Sequence, residues 1–293
     1  MGFELCQNEK IGDGLRRIAH EQVERAMRSI AQHADSASTV WEVRKHLKKT
    51  RAVMRCALAA LDEDAFQKAN HQLRDVAAKL SRTRDSAVWL ERLGELSGNV
   101  SRRCTRTRAL LKAEEEHANA DALKSLREAA RSLKEIESDF EALPWPELDW
   151  DGWMNGVRSV YKRGRRAFRD ASRTGSTEHL HEWRKRSKDL MYLLRLIESA
   201  ERGALGELAR QVKTLSELTG EDHDFAMLCE KLAAREEIGD ERDLLLPLIR
   251  ERRVELQQAA LFLGERFYAP KPREFSKSID CLARKFFEAP CSE

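Results

Sequence analysis

Residues 40–55 read VWEVRKHLKKTRAVMR, and residues 180–195 read LHEWRKRSKDLMYLLR. The two stretches align without a gap. In each, apolar residues recur at spacings of three and four, which predicts an amphipathic helix with one face toward a core. Lysines and arginines at the same spacings run beside each apolar stripe. The repeated element is therefore an amphipathic helix that carries a cationic edge.

Two further pairs of segments indicate an internal duplication. DGLRRI (13–18) resembles NGVRSV (155–160), and RDSAVWLERL (84–93) resembles HDFAMLCEKL (223–232). Together with the first pair they occur in the same order in both parts of the chain. A period this long excludes a solenoid and favours two similar domain halves.

A connector separates these halves. LPWPELDWDGW (143–153) contains two prolines and three tryptophans, and it interrupts the helical periodicity on either side. We place the first half at residues 1–145 and the second at residues 150–293. The simplest arrangement is two helical bundles related by a pseudo-two-fold axis.

The composition favours an all-α chain. Only 14 glycines and 6 prolines occur among 293 residues, so few positions oppose helix formation. We find no alternation typical of strands. The predicted helices cover residues 11–33, 37–61, 64–80, 84–97, 100–113, 119–142, 152–172, 176–200, 203–219, 223–237, 240–265 and 274–288.

The positive charge is local, because the net charge is only +3 whereas residues 157–173 carry seven cations and one acid. Cations three or four residues apart on a helix repel one another by a few tenths of a kcal/mol. A row of phosphates would compensate them through charge-assisted hydrogen bonds. A charged stripe is also common on a solvated helix face. Its recurrence in both halves, beside the apolar stripe, favours an anion site.

A metal site and an active site have weaker support. His179 and His181 could join His223 and Asp224 around a metal. However, side chains two apart on a helix do not share a face, and nearby cations would repel a metal ion. We interpret His223-Asp224 as a helix start. The chain lacks GxxxxGK[ST], GxGxxG and GxSxG motifs. We therefore expect no metal, no cofactor and no enzymatic activity.

The sequence resembles the CHAD family, the conserved-histidine α-helical domain. LHEWRKRSK (180–188) is similar to the family's histidine-containing basic helix, and VWEVRKHLK (40–48) matches it except that Trp41 stands where a histidine is expected. The further matches are Arg84-Asp85, His223-Asp224, GVRSVYKRGRRAF (156–168) and GERFYAPKPREF (264–275). Together these matches extend over nearly the whole chain.

The resemblance implies one CHAD domain over residues 1–293, built from two four-helix bundles about a pseudo-two-fold, with a basic central groove. It also implies binding of inorganic polyphosphate and targeting to polyphosphate granules. No Glu-x-Glu-x-Lys motif of a triphosphate-processing domain is present, so we expect a stand-alone binding module. The ligands carried over are His181, Arg184, Lys185, Lys188, Arg44, Lys45, Lys48, Arg158, Arg165 and Arg166. The cationic stripes add Arg195, Arg51, Arg55 and Lys162.

Two other functions remain open. RNA or DNA could bind the same stripes, although single-strand binders usually intersperse exposed aromatic residues, and only Trp41, Tyr161 and Tyr192 lie near the cationic helices. A helical scaffold without a polyanion ligand is the third possibility. Six scattered cysteines without a CxxC pair, and the lack of a signal-like or long apolar segment, predict a cytoplasmic protein without membrane contact. We expect protonation of His181 to strengthen binding below about pH 6.5.

Overall fold

The computed structural model describes residues 2–7, 9–33, 37–57, 63–96, 103–143, 145 and 149–288. These residues contain no strand, which confirms the all-α prediction. The helices are α1 (Ile11–His33), α2 (Ala37–Ala57), α3 (Glu63–Lys79), α4 (Ser81–Glu95), α5 (Thr105–Ala142), α6 (Trp150–Thr174), α7 (Thr177–Ile197), α8 (Ala204–Ala233), α9 (Asp240–Phe267) and α10 (Pro272–Glu288). Short 3-10 helices follow α7 (Glu198–Ala200) and precede α9 (Glu236–Ile238). No helix in the described part of the chain is both long and apolar enough to cross a membrane.

The two helices that open the second half are joined by a tight connection. The Asp149 carboxylate accepts a hydrogen bond from the Gly152 amide (2.8 Å) and caps the start of α6. Gly175 follows α6 with φ of 60°, a left-handed conformation that glycine adopts without strain. The Ser176 hydroxyl then accepts from the His179 amide (3.2 Å) and starts α7. Because only two residues connect them, α6 and α7 pack side by side.

Two predicted helix breaks are wrong. Residues 114–118, EEEHA, contain neither glycine nor proline, and α5 continues through them. In α8, residues 220–224 also stay helical. There, buried Asp222 accepts hydrogen bonds from Arg253 (2.9 Å) and Gln257 (2.8 Å) of α9, which hold this turn in place. His223-Asp224 therefore lies inside a helix and does not begin one.

The apolar core crosses the boundary between the predicted halves. The larger cluster includes Phe140 from the first half and Trp153, Tyr161 and Trp183 from the second, all fully buried. A smaller cluster joins α4 and the start of α5 to α8 and α9. Each such large apolar side chain stabilises the fold by about 1.5–3 kcal/mol. Burial therefore favours contact between the halves as well as folding within each.

Aromatic packing fixes the direction of α6 and α7. The Phe168 and Trp183 rings lie 5.2 Å apart, and the Tyr161 ring stacks on Phe275 at 3.9 Å. The Tyr161 hydroxyl also lies 3.1 Å from the carbonyl oxygen of Phe267. These contacts bury the apolar stripes of both helices, and their basic edges consequently face away from the core.

Candidate polyanion-binding cleft

A cleft of about 360 Å³ lies between α2, α7 and α8, with one residue from α4. One side of it, here called the basic wall, consists of Arg44, Lys45, Lys48, Arg184 and Lys188. The first three belong to α2 and the last two to α7, the helices of the aligned repeat, which pack against each other. The structure thus brings together five of the residues that the sequence assigns to an anion site.

Neighbouring groups orient the α2 part of the basic wall. Arg44 donates a hydrogen bond to the backbone carbonyl of Ala77. The Lys45 ammonium lies 3.2 Å from the Glu42 carboxylate and 4.6 Å from the centroid of the Trp41 ring. Trp41 is 53% exposed. The residue that replaces the expected histidine therefore stays at the surface, where it makes a cation–π contact with a wall lysine.

The α8 side of the cleft carries acidic residues. Glu217, Glu221 and Asp224 of α8 line it, and we call these three residues the carboxylate wall. Positions i, i+4 and i+7 share one face of a helix. Sequence reasoning missed this wall because it ended one helix at residue 219 and began another at residue 223. Only a continuous α8 places the three carboxylates in a row.

Arg92 of α4 also lines the cleft, and the sequence analysis did not identify it. Its guanidinium lies 4.0 Å from Asp224 and 5.9 Å from the centroid of the Phe225 ring. At the equivalent position of the repeated segment, the Lys231 ammonium lies 4.3 Å from the centroid of the Trp89 ring. A cation at both equivalent positions is the sequence signal that could have identified Arg92.

His181 lies beside the cleft rather than among its lining residues. Its Nδ1 is 3.1 Å from Nδ1 of His223 on α8. Burial lowers the pKa of His181, and the neighbouring Lys185 and Arg184 lower it further. In the ligand-free protein its charge therefore develops at a lower pH than an ordinary histidine's. His179, in contrast, has Nδ1 2.9 Å from the Ser176 hydroxyl at the start of α7.

The pairing of His181 with His223 does not create a recognisable metal centre. Within the described ranges, no three His, Cys, Asp or Glu side chains are grouped so as to hold a metal ion. The histidine pair instead adjoins cations of the basic wall. The expectation that the protein uses no metal stays a prediction.

Arg51 and Arg55 lie farther along α2, beyond the cleft. Arg51 Nε donates to the Asn70 side-chain oxygen (3.0 Å), and Arg55 lies 2.6 Å from Asp189 of α7. Arg186 approaches the same carboxylate at 3.4 Å. Burial raises the pKa of Asp189, whereas Arg55 and Arg186 oppose that rise. This ion cluster links α2 to α7.

Arg195 belongs to a separate group of cations around Lys49. Lys49 is only 7% exposed, and its ammonium lies 5.1 Å from the centroid of the Phe3 ring. Burial lowers the pKa of Lys49 to about 8, and Arg195, Lys45 and Arg25 contribute to this. A buried cation among like charges is costly, so an approaching anion would be favoured here.

The basic residues of α6 lie at a different cavity, of about 530 Å³. Lys162, Arg165 and Arg166 line it, and Arg165 donates to the Tyr268 carbonyl (2.8 Å). The other lining residues are Ser159, Arg163, Arg169 and Pro272. Arg158, one turn earlier, lines neither cavity. Lys185 lies outside the cleft as well, 3.6 Å from Glu182.

This geometry defines a class of protein: an all-helical protein in which two similar helices meet at a cleft and line it with cations. The family model for the CHAD domain matches residues 15–233, and the chain belongs to this family, which is associated with polyphosphate binding. The recognition made from the sequence motifs is thereby confirmed.

Two solved structures share the fold. PptA from Streptomyces chartreusis superposes with a TM-score of 0.61 at 14% identity, over 88% of this chain and 99% of that chain. The CHAD domain from the plant Ricinus communis gives a TM-score of 0.59 at 14% identity, over 92% of this chain and 93% of that one. A comparison with curated proteins found no match.

Proposed function

We propose that the protein binds inorganic polyphosphate along the basic wall of the cleft, as a binding module without catalytic activity. The observation that carries this proposal is the convergence of five lysines and arginines, from one helix of each half, on one side of a single cleft. Arginine can chelate phosphate oxygens with two parallel hydrogen bonds, and lysine acts as a point charge. The family's association with polyphosphate supports the choice of polymer.

The mechanism is electrostatic. Phosphates along the polymer replace the counterions of the basic wall and remove the repulsion between cations three and four residues apart. Arg195 with Lys49, and the α6 residues Lys162, Arg165 and Arg166, give a long polymer further positive surface. Binding of this kind would hold a cytoplasmic protein at polyphosphate granules.

We also propose that the halves are duplicated four-helix bundles about a pseudo-two-fold axis. Two observations support this. The aligned helices α2 and α7 form the same wall, and the equivalent cations Arg92 and Lys231 each cover an aromatic ring from the other half, Phe225 and Trp89 respectively. A pseudo-two-fold between the halves accounts for two equivalent cations that each contact the other half.

Nucleic-acid binding is the second candidate, because exposed Trp41 stands beside Lys45 where a base could stack. Competition binding at one fixed salt concentration separates the two candidates. The competitors are long-chain polyphosphate, single-stranded RNA, duplex DNA and tripolyphosphate. We expect long-chain polyphosphate to compete best. Tighter binding of RNA or DNA would refute the proposed function.

The site is tested with paired substitutions. Arg184→Glu with Lys188→Glu reverses two charges of the basic wall. We expect at least a tenfold loss of polyphosphate affinity, since a hydrogen bond to a charged group contributes about 1.5–3 kcal/mol. Arg127→Glu with Arg131→Glu is the matched control, because both residues are exposed at the same spacing on α5. Thermal unfolding followed by circular dichroism checks that both variants fold. Equal affinity of the two variants would reject the site.

A further inference from the structure

The cleft that we propose for polyphosphate carries most of its positive charge on one side, with Arg92 as the additional cation beside Asp224. The basic wall of α2 and α7 faces Glu217, Glu221 and Asp224 on α8. A polyanion that lies along the basic wall has its charge compensated. A polyanion broad enough to fill the cleft places its phosphates near the solvent-accessible carboxylates of Glu217 and Glu221, and such like-charge contacts cost several kcal/mol when they are close.

The carboxylates have cationic neighbours that lie outside the basic wall. Glu217 is 3.6 Å from Lys213 on its own helix, and Glu221 is 3.6 Å from Arg252 of α9. Neither Lys213 nor Arg252 lines the cleft. Asp224, in contrast, is buried and lies 4.0 Å from Arg92, itself a cleft residue. Glu217 and Glu221 are therefore the carboxylates that a ligand in the cleft would meet.

The carboxylates do not form a metal site. The described part of the chain contains no group of three acidic, histidine or cysteine side chains suited to a metal ion. A direct contact between a phosphate and these carboxylates is repulsive, and repulsion of this kind produces specificity.

We infer that the carboxylate wall determines the specificity of the cleft, by admitting a thin single-chain polyphosphate and disfavouring nucleic acids. Linear polyphosphate carries its charge on directly linked phosphates and has no side groups, so it fits along the basic wall alone. RNA carries a sugar and a base on every phosphate, and duplex DNA carries phosphates on two strands. Both need the space beside the carboxylates. This inference rests on the proposed function.

The test neutralises part of the wall. Glu217→Gln with Glu221→Gln keeps side-chain size and removes two negative charges. Affinities for long-chain polyphosphate, single-stranded RNA and duplex DNA are measured at one ionic strength with a chelator present. We expect polyphosphate affinity to rise about threefold or less, because exposed charge pairs contribute about 0.2–1 kcal/mol. We expect RNA and DNA affinities to rise about tenfold, so that the preference for polyphosphate falls.

Glu128→Gln with Glu135→Gln on α5 is the control, since it makes the same charge change outside the cleft. Glu217→Gln alone, at a side chain that is 58% exposed, provides a second variant with little effect on folding. An unchanged preference, or an equal fall in the control, overturns the inference. The proposed function stands in that case, because it is tested by other measurements: the competition with RNA and DNA and the charge reversal of the basic wall.

Discussion

Burial lowers the pKa of several basic side chains on α2 and α7, among them His46, Lys49 and His181. His46 has Nδ1 2.8 Å from the Gln22 side-chain oxygen, and burial followed by Lys49 lowers its pKa to about 4. The pKa of Lys49 is lowered to about 8, and the pKa of His181 is also lowered. Each side chain also lies among other cations, so a bound anion would oppose these shifts. The ligand-free protein consequently carries less positive charge here than the residue types suggest.

His181 gives a prediction about pH. A bound phosphate favours the protonated ring, so the complex binds more protons than the free protein and affinity must rise as pH falls. The rise begins as the pH falls through the pKa of His181 in the complex, and it is complete below the lowered pKa of His181 in the free protein. We expect polyphosphate affinity to increase about threefold from pH 7 to pH 5.5. Titration calorimetry at both pH values measures it.

Substitution of His181 tests whether the increase in affinity at low pH originates at this residue. His181→Asn should remove most of it, whereas His179→Asn, two residues earlier beside Ser176, should retain it. The other charged groups near His181 are Glu182, Arg184, Lys185 and Lys188. The remaining titratable partner is His223. If His181→Asn keeps the full increase, the effect does not originate at His181.

At the scale of helices, one close contact holds α9 against α6 and α7. A Cβ atom added to Gly264 would lie 2.7 Å from the Phe168 ring and 2.8 Å from the Trp183 ring. These rings must then move, so we expect Gly264→Ala to destabilise the protein by about 1–3 kcal/mol. Urea denaturation measures the change. Gly94→Ala is the control, because its added Cβ meets nothing within 4 Å and should be neutral or slightly stabilising.

Helix periodicity predicted where most helices lie but not where two of them continue. The predicted and observed bounds of α1 coincide at residues 11–33. The break expected near residue 220 is absent, because contacts of Asp222 with α9 hold that turn, and such contacts leave no periodic trace in the sequence. Because of this error, the sequence analysis did not place Glu217, Glu221 and Asp224 on one helix face. Whether a helix ends at a residue such as Gly220 therefore depends on tertiary packing as well as on the local sequence.

At the scale of the whole molecule, the repeated motif could predict the basic wall because the two helices that carry it, α2 and α7, pack against each other. Arg44 and Arg184 occupy equivalent positions and line one cleft. Periodicity assigns a residue to a face of its helix, but it does not say what lies opposite. For this reason Arg55, which lies against Asp189, and Arg165, at the α6 cavity, were grouped with residues that the structure places elsewhere.

The separation of charge across the molecule leads to a last prediction, on salt. The net charge of +3 becomes −1 in Arg184→Glu with Lys188→Glu and also in Arg127→Glu with Arg131→Glu, since each replaces two cations by two anions. If binding releases counterions from the cleft, affinity should fall steeply between about 50 and 200 mM salt. The dependence should be clearly weaker in the first variant and parallel to wild type in the second. Fluorescence titrations at several salt concentrations measure the slopes. Equal slopes in the two variants would mean that overall charge, rather than the basic wall, governs binding.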